Sequence, residues 1–187
     1  MLFLPSARLV DLTKLQFLKL SSTSKLEGFD CTEADGTDPV GLQEFIQKEA
    51  LVYQSERIGV TYLILHGKDV VAFITVSMNC LSINELEEPE KIAKVSSRRY
   101  PALLLGRLGV DKRFRDQNIG TYLCLWVVGL ARQISQFVGC RYVALHTLPE
   151  KTPFYVREPL NFVESSLERT DNKKLLYRRI VDESVSK

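Results

Sequence analysis

Apolar and polar positions alternate over residues 14–20, which predicts a strand with one buried face. Residues 21–39 are rich in Ser, Thr, Asp and Gly and read as loop, interrupted by a small apolar anchor at Phe29-Asp30-Cys31. From residue 40 the period lengthens. Leu42, Phe45, Ile46, Glu49 and Ala50 fall at helical spacing, which predicts a helix over residues 40–53 with Asp38-Pro39 at its start. Residues 60–66 are β-branched and aromatic, and residues 70–76 resume that character after the turn Gly67-Lys68-Asp69. The two predict a hairpin, antiparallel to the first strand.

Residues 83–100 break this pattern. Glu85, Glu87, Glu88 and Glu90 come first, then Lys91, Lys94, Arg98 and Arg99. A solvated, partly helical connection is one reading and a contact surface for a charged partner the other. Residues 101–110 form a strongly apolar strand, followed by a basic loop over 111–118. Ile119, Leu123, Trp126, Val127, Leu130, Ile134 and Val138 then share one face of a helix over 119–138, with Gly139 placed to stop it. A strand over 142–145, a short helix over 153–157 and two strands over 163–168 and 175–181 close the chain. The order is β-α-β-β-β-α-β-α-β-β. The strand–helix–strand run over 102–145 predicts a parallel pair with a crossover helix, and the remaining strands read as antiparallel. The expected class is α/β, a mixed and mostly antiparallel sheet with helices on both faces, in a single domain over residues 1–187.

Composition narrows the function classes. The 187 residues carry a net charge of +2, which by itself calls for no nucleic-acid partner. Cys31, Cys80, Cys124 and Cys140 form no CxxC pair and only two histidines are present, so neither a metal site nor a disulfide scaffold is expected. Residues 1–4 run straight into Pro5 and Arg8, without the basic start and apolar run of a secretory leader. The longest apolar stretch, around residues 123–130, falls far short of the roughly 20 residues needed to span a bilayer. A soluble, cytoplasmic protein is expected.

Chemistry concentrates where the fourth strand meets the long helix. The strand holds Gly106 and Gly109, and glycine inside a strand marks a bulge or a close backbone approach. Asn118 and Gly120 tolerate left-handed angles, and a helix starts at once. Such a turn aims backbone N–H groups and the helix dipole at one spot, an anion cradle suited to a pyrophosphate. Lys112, Arg113 and Arg115 add positive charge and Thr121 a hydroxyl. No Gly-Lys-Ser/Thr is present, which excludes a nucleotide P-loop.

On these residues the chain resembles the GNAT superfamily of acyl-CoA N-acyltransferases. That family carries Arg/Gln-x-x-Gly-x-Gly/Ala after a Leu-x-Val strand. Here Leu108-Gly109-Val110 precedes Arg115-Asp116-Gln117-Asn118-Ile119-Gly120, with Asn118 in place of the first glycine. The resemblance implies that the fourth and fifth strands splay to hold acetyl-CoA. Its pantetheine arm would pair with Leu108, Gly109 and Val110, and its pyrophosphate would sit on residues 115–120 and Thr121. It also implies that Tyr155, in the pair Phe154-Tyr155, is the general acid on the departing thiolate. Val156 to Leu160 lengthens the run that follows the tyrosine in the family, and Asn161-Phe162 replaces its Gly-Phe.

Many relatives place a glutamate base on the strand before the cradle, where this chain has Arg107 instead. His146 acting through water, an acetyl-cysteine at Cys124 or Cys140, or no dedicated base at all remain open. Phe29-Asp30-Cys31 and Leu105-Gly106-Arg107-Leu108 resemble most the toxin-type GNAT enzymes, which acetylate the amino acid carried on tRNA. That implies an aminoacyl-tRNA acceptor near Arg107 and Arg99, a homodimer and an antitoxin partner. Lys91, Lys94, Arg98, Arg99, Lys112 and Arg113 are candidates for holding a phosphate backbone. A small-molecule or protein amine is the alternative acceptor, and a non-catalytic acyl-CoA sensor the alternative function.

Overall fold

The computed structural model describes residues 9–87, 90, 92, 94–167 and 172–180. Seven strands form one mixed sheet in the order β1-β2-β3-β4-β5-β7-β6. They are β1 (Gln16–Lys19), β2 (Val60–His66), β3 (Asp69–Ser82), β4 (Arg99–Val110), β5 (Tyr142–Thr147), β6 (Val163–Glu164) and β7 (Lys174–Arg179). Helices α1 (Leu42–Glu44) and α2 (Ala50–Ser55) flank a π turn, Phe45–Glu49; α3 (Ile119–Ser135) and α4 (Thr152–Val156) follow. The order matches the sequence expectation. β1 pairs antiparallel with β2, β4 parallel with β5, and β7 antiparallel with β5 and β6. Among the described residues no helix is long and apolar enough to cross a membrane.

The chain divides into two compact units, Met1–Thr75 with Arg107–Leu123, and Val76–Gly106 with Cys124–Lys187. The core of the first is aromatic. Phe73 packs edge-on to Phe29 with centroids 6.0 Å apart, and Phe45 lies 6.3 Å from Phe73 and 5.1 Å from Tyr53. Helix α1 starts two residues later than expected because Gly41 takes a left-handed angle. Asp38 still caps it: its carboxylate accepts from the N–H groups of Leu42 (2.7 Å), Gln43 (2.9 Å) and Glu44 (3.2 Å). This satisfies donors that a helix start otherwise leaves orphaned. The regular helix expected through residue 53 opens into the π turn, which buries Phe45 and Ile46.

The second unit is built on three tyrosines. Tyr142 packs against Tyr100 (6.3 Å) and Tyr177 (5.7 Å), beside Leu81, Leu86, Ala102, Ala144 and Leu175. Their hydroxyls reach the charged connection after β3. Tyr142 donates to the Glu90 carboxylate (3.0 Å), and Tyr177 accepts from the Glu87 N–H (2.8 Å). Burial pushes the Tyr142 phenol up to about 12, so it remains a donor. Glu87 and Glu90 therefore anchor a connection that reads as solvated in the sequence, and a Ser82–Glu85 capping box starts its one-turn 3-10 helix, Ile83–Glu85. Glu88 and Lys91 lie outside the described residues.

Three element ends differ from expectation by more than two residues. β3 runs to Ser82 rather than 76, because Ser77 and Asn79 alternate with exposed Met78 and Cys80 in a strand that sheet pairing continues despite weak propensity. α3 stops at Ser135, leaving Phe137 and Val138 exposed at 87% and 59%. Its buried residues are Ile119, Leu123, Cys124, Val127, Val128 and Ala131, so the stripe is shorter than the expected one. β6 comprises only Val163–Glu164, and expected strand residues 168 and 181 lie outside the described residues.

Candidate active site

β4 ends against the aromatic core of the first unit. A Cβ at Gly109 would stand 2.5 Å from Phe73 Cε1 and 3.2 Å from the Cys31 sulfur, so no larger residue fits unless its neighbours move. Asp111 follows, fully buried. Its N–H donates to the Val71 carbonyl (2.9 Å), and its carboxylate accepts from the N–H groups of Asp30 (3.2 Å) and Arg113 (2.9 Å). The Arg113 guanidinium closes a two-point clasp on it, Nε to Oδ1 at 2.9 Å and Nη2 to Oδ2 at 2.8 Å. A carboxylate removed from water needs this number of donors. Phe114, buried, roots the 3-10 turn Lys112–Phe114.

The loop then makes its cradle. Asp116 and Asn118 both take left-handed angles, φ 60° in each case. Left-handed residues thus stand on either side of Gln117, the kind of turn in which anion nests form. The Gln117 side chain accepts from the Val10 N–H (2.8 Å). Tyr122 N–H donates to the Asn118 carbonyl (2.9 Å), so the helix ladder begins there and the first-turn N–H groups of Ile119, Gly120 and Thr121 have no acceptor within the helix. Of the two residues that tolerate a left-handed angle, Asn118 takes one; Gly120 lies inside the first turn of α3, and Asp116 takes the second left-handed position. Asn118→Gly is expected to leave the fold and coenzyme affinity intact. Asn118→Val is expected to cost about 1–2 kcal/mol, read by thermal unfolding and acetyl-CoA titration.

The basic side chains expected around the cradle are engaged by neighbours. Lys112 pairs with the Asp30 carboxylate, and this hydrogen bond, with that from Thr32, holds the Asp30 carboxyl well below the usual carboxylate range. Its contribution to folding is thus present above about pH 4 and fades as pH falls below that. Arg113 is clasped by Asp111. Arg115 donates to the carbonyls of Cys31 (2.7 Å) and Thr32 (2.8 Å) and to the Glu33 carboxylate (3.2 Å). The cations thus lock the outline of this loop, and its backbone N–H groups and the start of α3 are what it offers to an anion.

In the second unit Tyr155 sits on α4, half-buried, its ring 4.9 Å from Phe154 and 6.1 Å from Phe162. The longer run after it folds back: Phe162 N–H donates to the Tyr155 carbonyl (3.1 Å), Asn161 takes φ 48°, and Arg178 holds the carbonyls of Pro159 (2.9 Å) and Leu160 (2.6 Å). Burial pushes the Tyr155 phenol above its ordinary value near 10. It stays protonated through the neutral range, the state a proton donor needs.

The parallel register runs from Ala102↔Tyr142 to Leu105↔Leu145; β4 continues to Val110 and β5 to Thr147 outside it. Arg107 is half-buried, its guanidinium over the Phe45 ring at 5.1 Å. Arg99 is exposed at the start of β4, and His146 is exposed on β5. The basic residues are divided between the two units. Lys94, Arg98 and Arg99 are exposed in the second unit, whereas Lys112 and Arg113 belong to the first and are ion-paired. Burial pushes the Cys124 thiol up to about 12 and raises Cys140, so neither supplies a thiolate nucleophile at neutral pH.

No protein-family model matches the chain. A tRNA-acetylating toxin of Mycobacterium tuberculosis (strain ATCC 25618 / H37Rv) is 24% identical over 128 residues, 68% of this chain and 75% of the toxin. The structure of AtaT complexed with acetyl-methionyl-tRNAfMet superposes with a TM-score of 0.74 at 22% identity, covering 88% of this chain and 94% of that one. A tyrosine-to-phenylalanine mutant of the AtaT toxin, bound to the C-terminus of the antitoxin AtaR and acetyl-CoA, gives a TM-score of 0.65 at 21% identity over 89% and 93%. The chain has the GNAT fold.

Within the GNAT fold, the sequence locates the left-handed loop that opens α3, the strand that leads to it and the aromatic pair of α4. It misses the residues that hold the cradle in shape: Asp111, Glu33 and Gln43. The one available signal was Phe29-Asp30-Cys31, an apolar and acidic anchor inside a polar loop, and its partners lie some eighty residues away.

Proposed function

We propose that this chain transfers an acetyl group from acetyl-CoA to the α-amino group of an aminoacyl-tRNA. The observation that carries the donor half is the doubly left-handed loop opening α3 within a GNAT fold. The likeness to a tRNA-acetylating toxin, and to a toxin solved with acetyl-methionyl-tRNA, supports the acceptor.

In this reading the N–H groups of residues 115–120 and Thr121 bind the pyrophosphate, and the backbone of Leu108, Gly109 and Val110 pairs with the pantetheine arm. Acetyl-CoA, when bound, supplies the thioester. The neutral amine attacks its carbonyl carbon, the C–S bond breaks, and Tyr155 gives its proton to the departing thiolate; the nitrogen's surplus proton passes to water, and water returns a proton to Tyr155. Arg107 and Arg99 serve the acceptor.

The missing glutamate fits this acceptor. An α-amino group with a pKa of about 7.7–8.0 is roughly one-third neutral at pH 7.5, whereas a lysine amine near 10.4 is neutral at about one part in a thousand. An aminoacyl ester is lower still, so attack proceeds without a strong base. Such an acceptor also places the reaction in the cytoplasm, and an antitoxin partner and a homodimer belong to the same proposal.

The test is steady-state release of CoA thiol on adding charged tRNA. The expected result is release that saturates with charged tRNA, and small amines at the same concentration giving at least about tenfold less. Equal rates with lysine or small amines overturn the acceptor assignment.

A further inference from the structure

The loop segment of residues 29–33 is a strap laid against the cradle, and one side chain brackets it. Gln43, on α1, donates through Nε2 to the Phe29 carbonyl (3.1 Å). Its Oε1 accepts from the Cys31 N–H (2.9 Å) and from the Cys31 thiol (3.3 Å). A carbonyl only accepts and an N–H only donates, so both ends of the carboxamide are fixed by their partners. The residue between the bracketed pair is Asp30. Its carbonyl accepts from the Lys112 N–H (2.8 Å), its carboxylate pairs with the Lys112 ammonium, and its N–H reaches Asp111. The next two carbonyls, Cys31 and Thr32, hold Arg115, the first residue of the cradle motif.

We propose that Gln43 is a positioning residue for acetyl-CoA binding: by bracketing Phe29 and Cys31 it sets the carbonyls that hold Arg115, and through Arg115 the outline of the pyrophosphate cradle. The inference rests on the coenzyme reading given above. Three features carry it. Besides Gln43, the strap is held locally by Thr32 to the Asp30 carboxylate, Phe29 to Leu26, and Glu33 to Thr37 and Gly36, none of which fixes the Cys31 N–H. Gln43 stands on a helix start that Asp38 already caps, a firm base. Three links join the strap to the loop at 111, 112 and 115, so displacing the strap displaces the cradle rather than a neutral surface.

The test is calorimetric titration of acetyl-CoA into the full chain carrying Gln43→Met, Gln43→Glu, Arg115→Met, or Gln43→Met with Arg115→Met. Methionine keeps the length and loses all three bonds; glutamate keeps the accepting half and serves if the methionine variant fails to fold. The expected result is a Kd raised about fivefold or more by Gln43→Met, the loss of a hydrogen bond worth about 1 kcal/mol, and less by Gln43→Glu. In the Arg115→Met background the same substitution should raise Kd by a clearly smaller factor, because the link proposed to carry most of the effect is cut while those at Asp111 and Lys112 remain. Turnover at saturating acetyl-CoA should be unchanged, which separates positioning from general loss of structure. Wild-type binding with an equal Kd for Gln43→Met, or an effect of equal size in both backgrounds, overturns this proposal alone. A wild-type chain that does not bind acetyl-CoA overturns the coenzyme reading and this proposal with it.

Discussion

Tyr155→Phe is expected to lower kcat by about 10²–10⁴-fold, the range for losing a positioned general acid, with the KM for acetyl-CoA nearly unchanged. The substitution removes only an oxygen. The ring keeps its contacts with Phe154 and Phe162, so folding should be preserved. The pH profile makes the role specific. Burial raises the phenol above its ordinary value near 10, so the acid form persists as pH rises. Wild-type kcat should therefore lose no activity to Tyr155 ionisation below about pH 10. Any rise at low pH belongs to the amine losing its proton, and Tyr155→Phe should keep that rise at a lower plateau. Unchanged kcat in the phenylalanine variant removes Tyr155 from the mechanism.

Gly109→Ala is expected to damage both stability and coenzyme binding. The new methyl group would enter 2.5 Å from a carbon of the Phe73 ring, and Phe73 is itself fully buried between Phe29 and Phe45. The ring has no open side to move into, so β4 must shift. Overpacking of this kind costs about 1–3 kcal/mol, and each kcal/mol lowers Tm by roughly 2–4 °C at this chain length. The shift falls on residues 108–110, the backbone proposed to pair with pantetheine, so acetyl-CoA affinity should drop as well. Phe73→Leu, made together with Gly109→Ala, frees space at the ring edge and should recover part of the Tm. A Tm within one degree of wild type for the single variant contradicts the packing account.

The elements that could be read from the sequence are those whose information is local. Residues 60–66 match β2 to the residue, because a run rich in β-branched residues, with Tyr62 and two leucines, ends at Gly67, which takes φ 62°. The start of α3 and its loop were readable for the same reason, with Asn118 marking the left-handed turn. The second half of β3 was not, since Ser77 and Asn79 look like loop until a neighbouring strand pairs with them. Nor was the π turn at Phe45–Glu49, whose apolar residues keep a helical spacing in the sequence. The largest gap concerns polar residues. Lys112, Arg113 and Arg115 read as charge for phosphate, yet each is held by a carboxylate or carbonyl of residues 30–33 or 111. Glu87 and Glu90 read as solvated and bind buried tyrosines. Pairings over such separations leave no periodic trace, so residue type alone cannot distinguish a ligand-binding cation from a structural one.

The central claim, acetylation of the amino acid on tRNA, is tested most directly by following labelled acetyl groups from acetyl-CoA. The purified chain is incubated with a mixture of charged tRNAs, and the same tRNA after deacylation serves as the comparison. Label is expected on charged tRNA alone, released with the amino acid when the ester is hydrolysed, and reduced about 10²-fold or more by Tyr155→Phe. Label that appears equally on deacylated tRNA, or none on charged tRNA while acetyl-CoA binds, contradicts that claim.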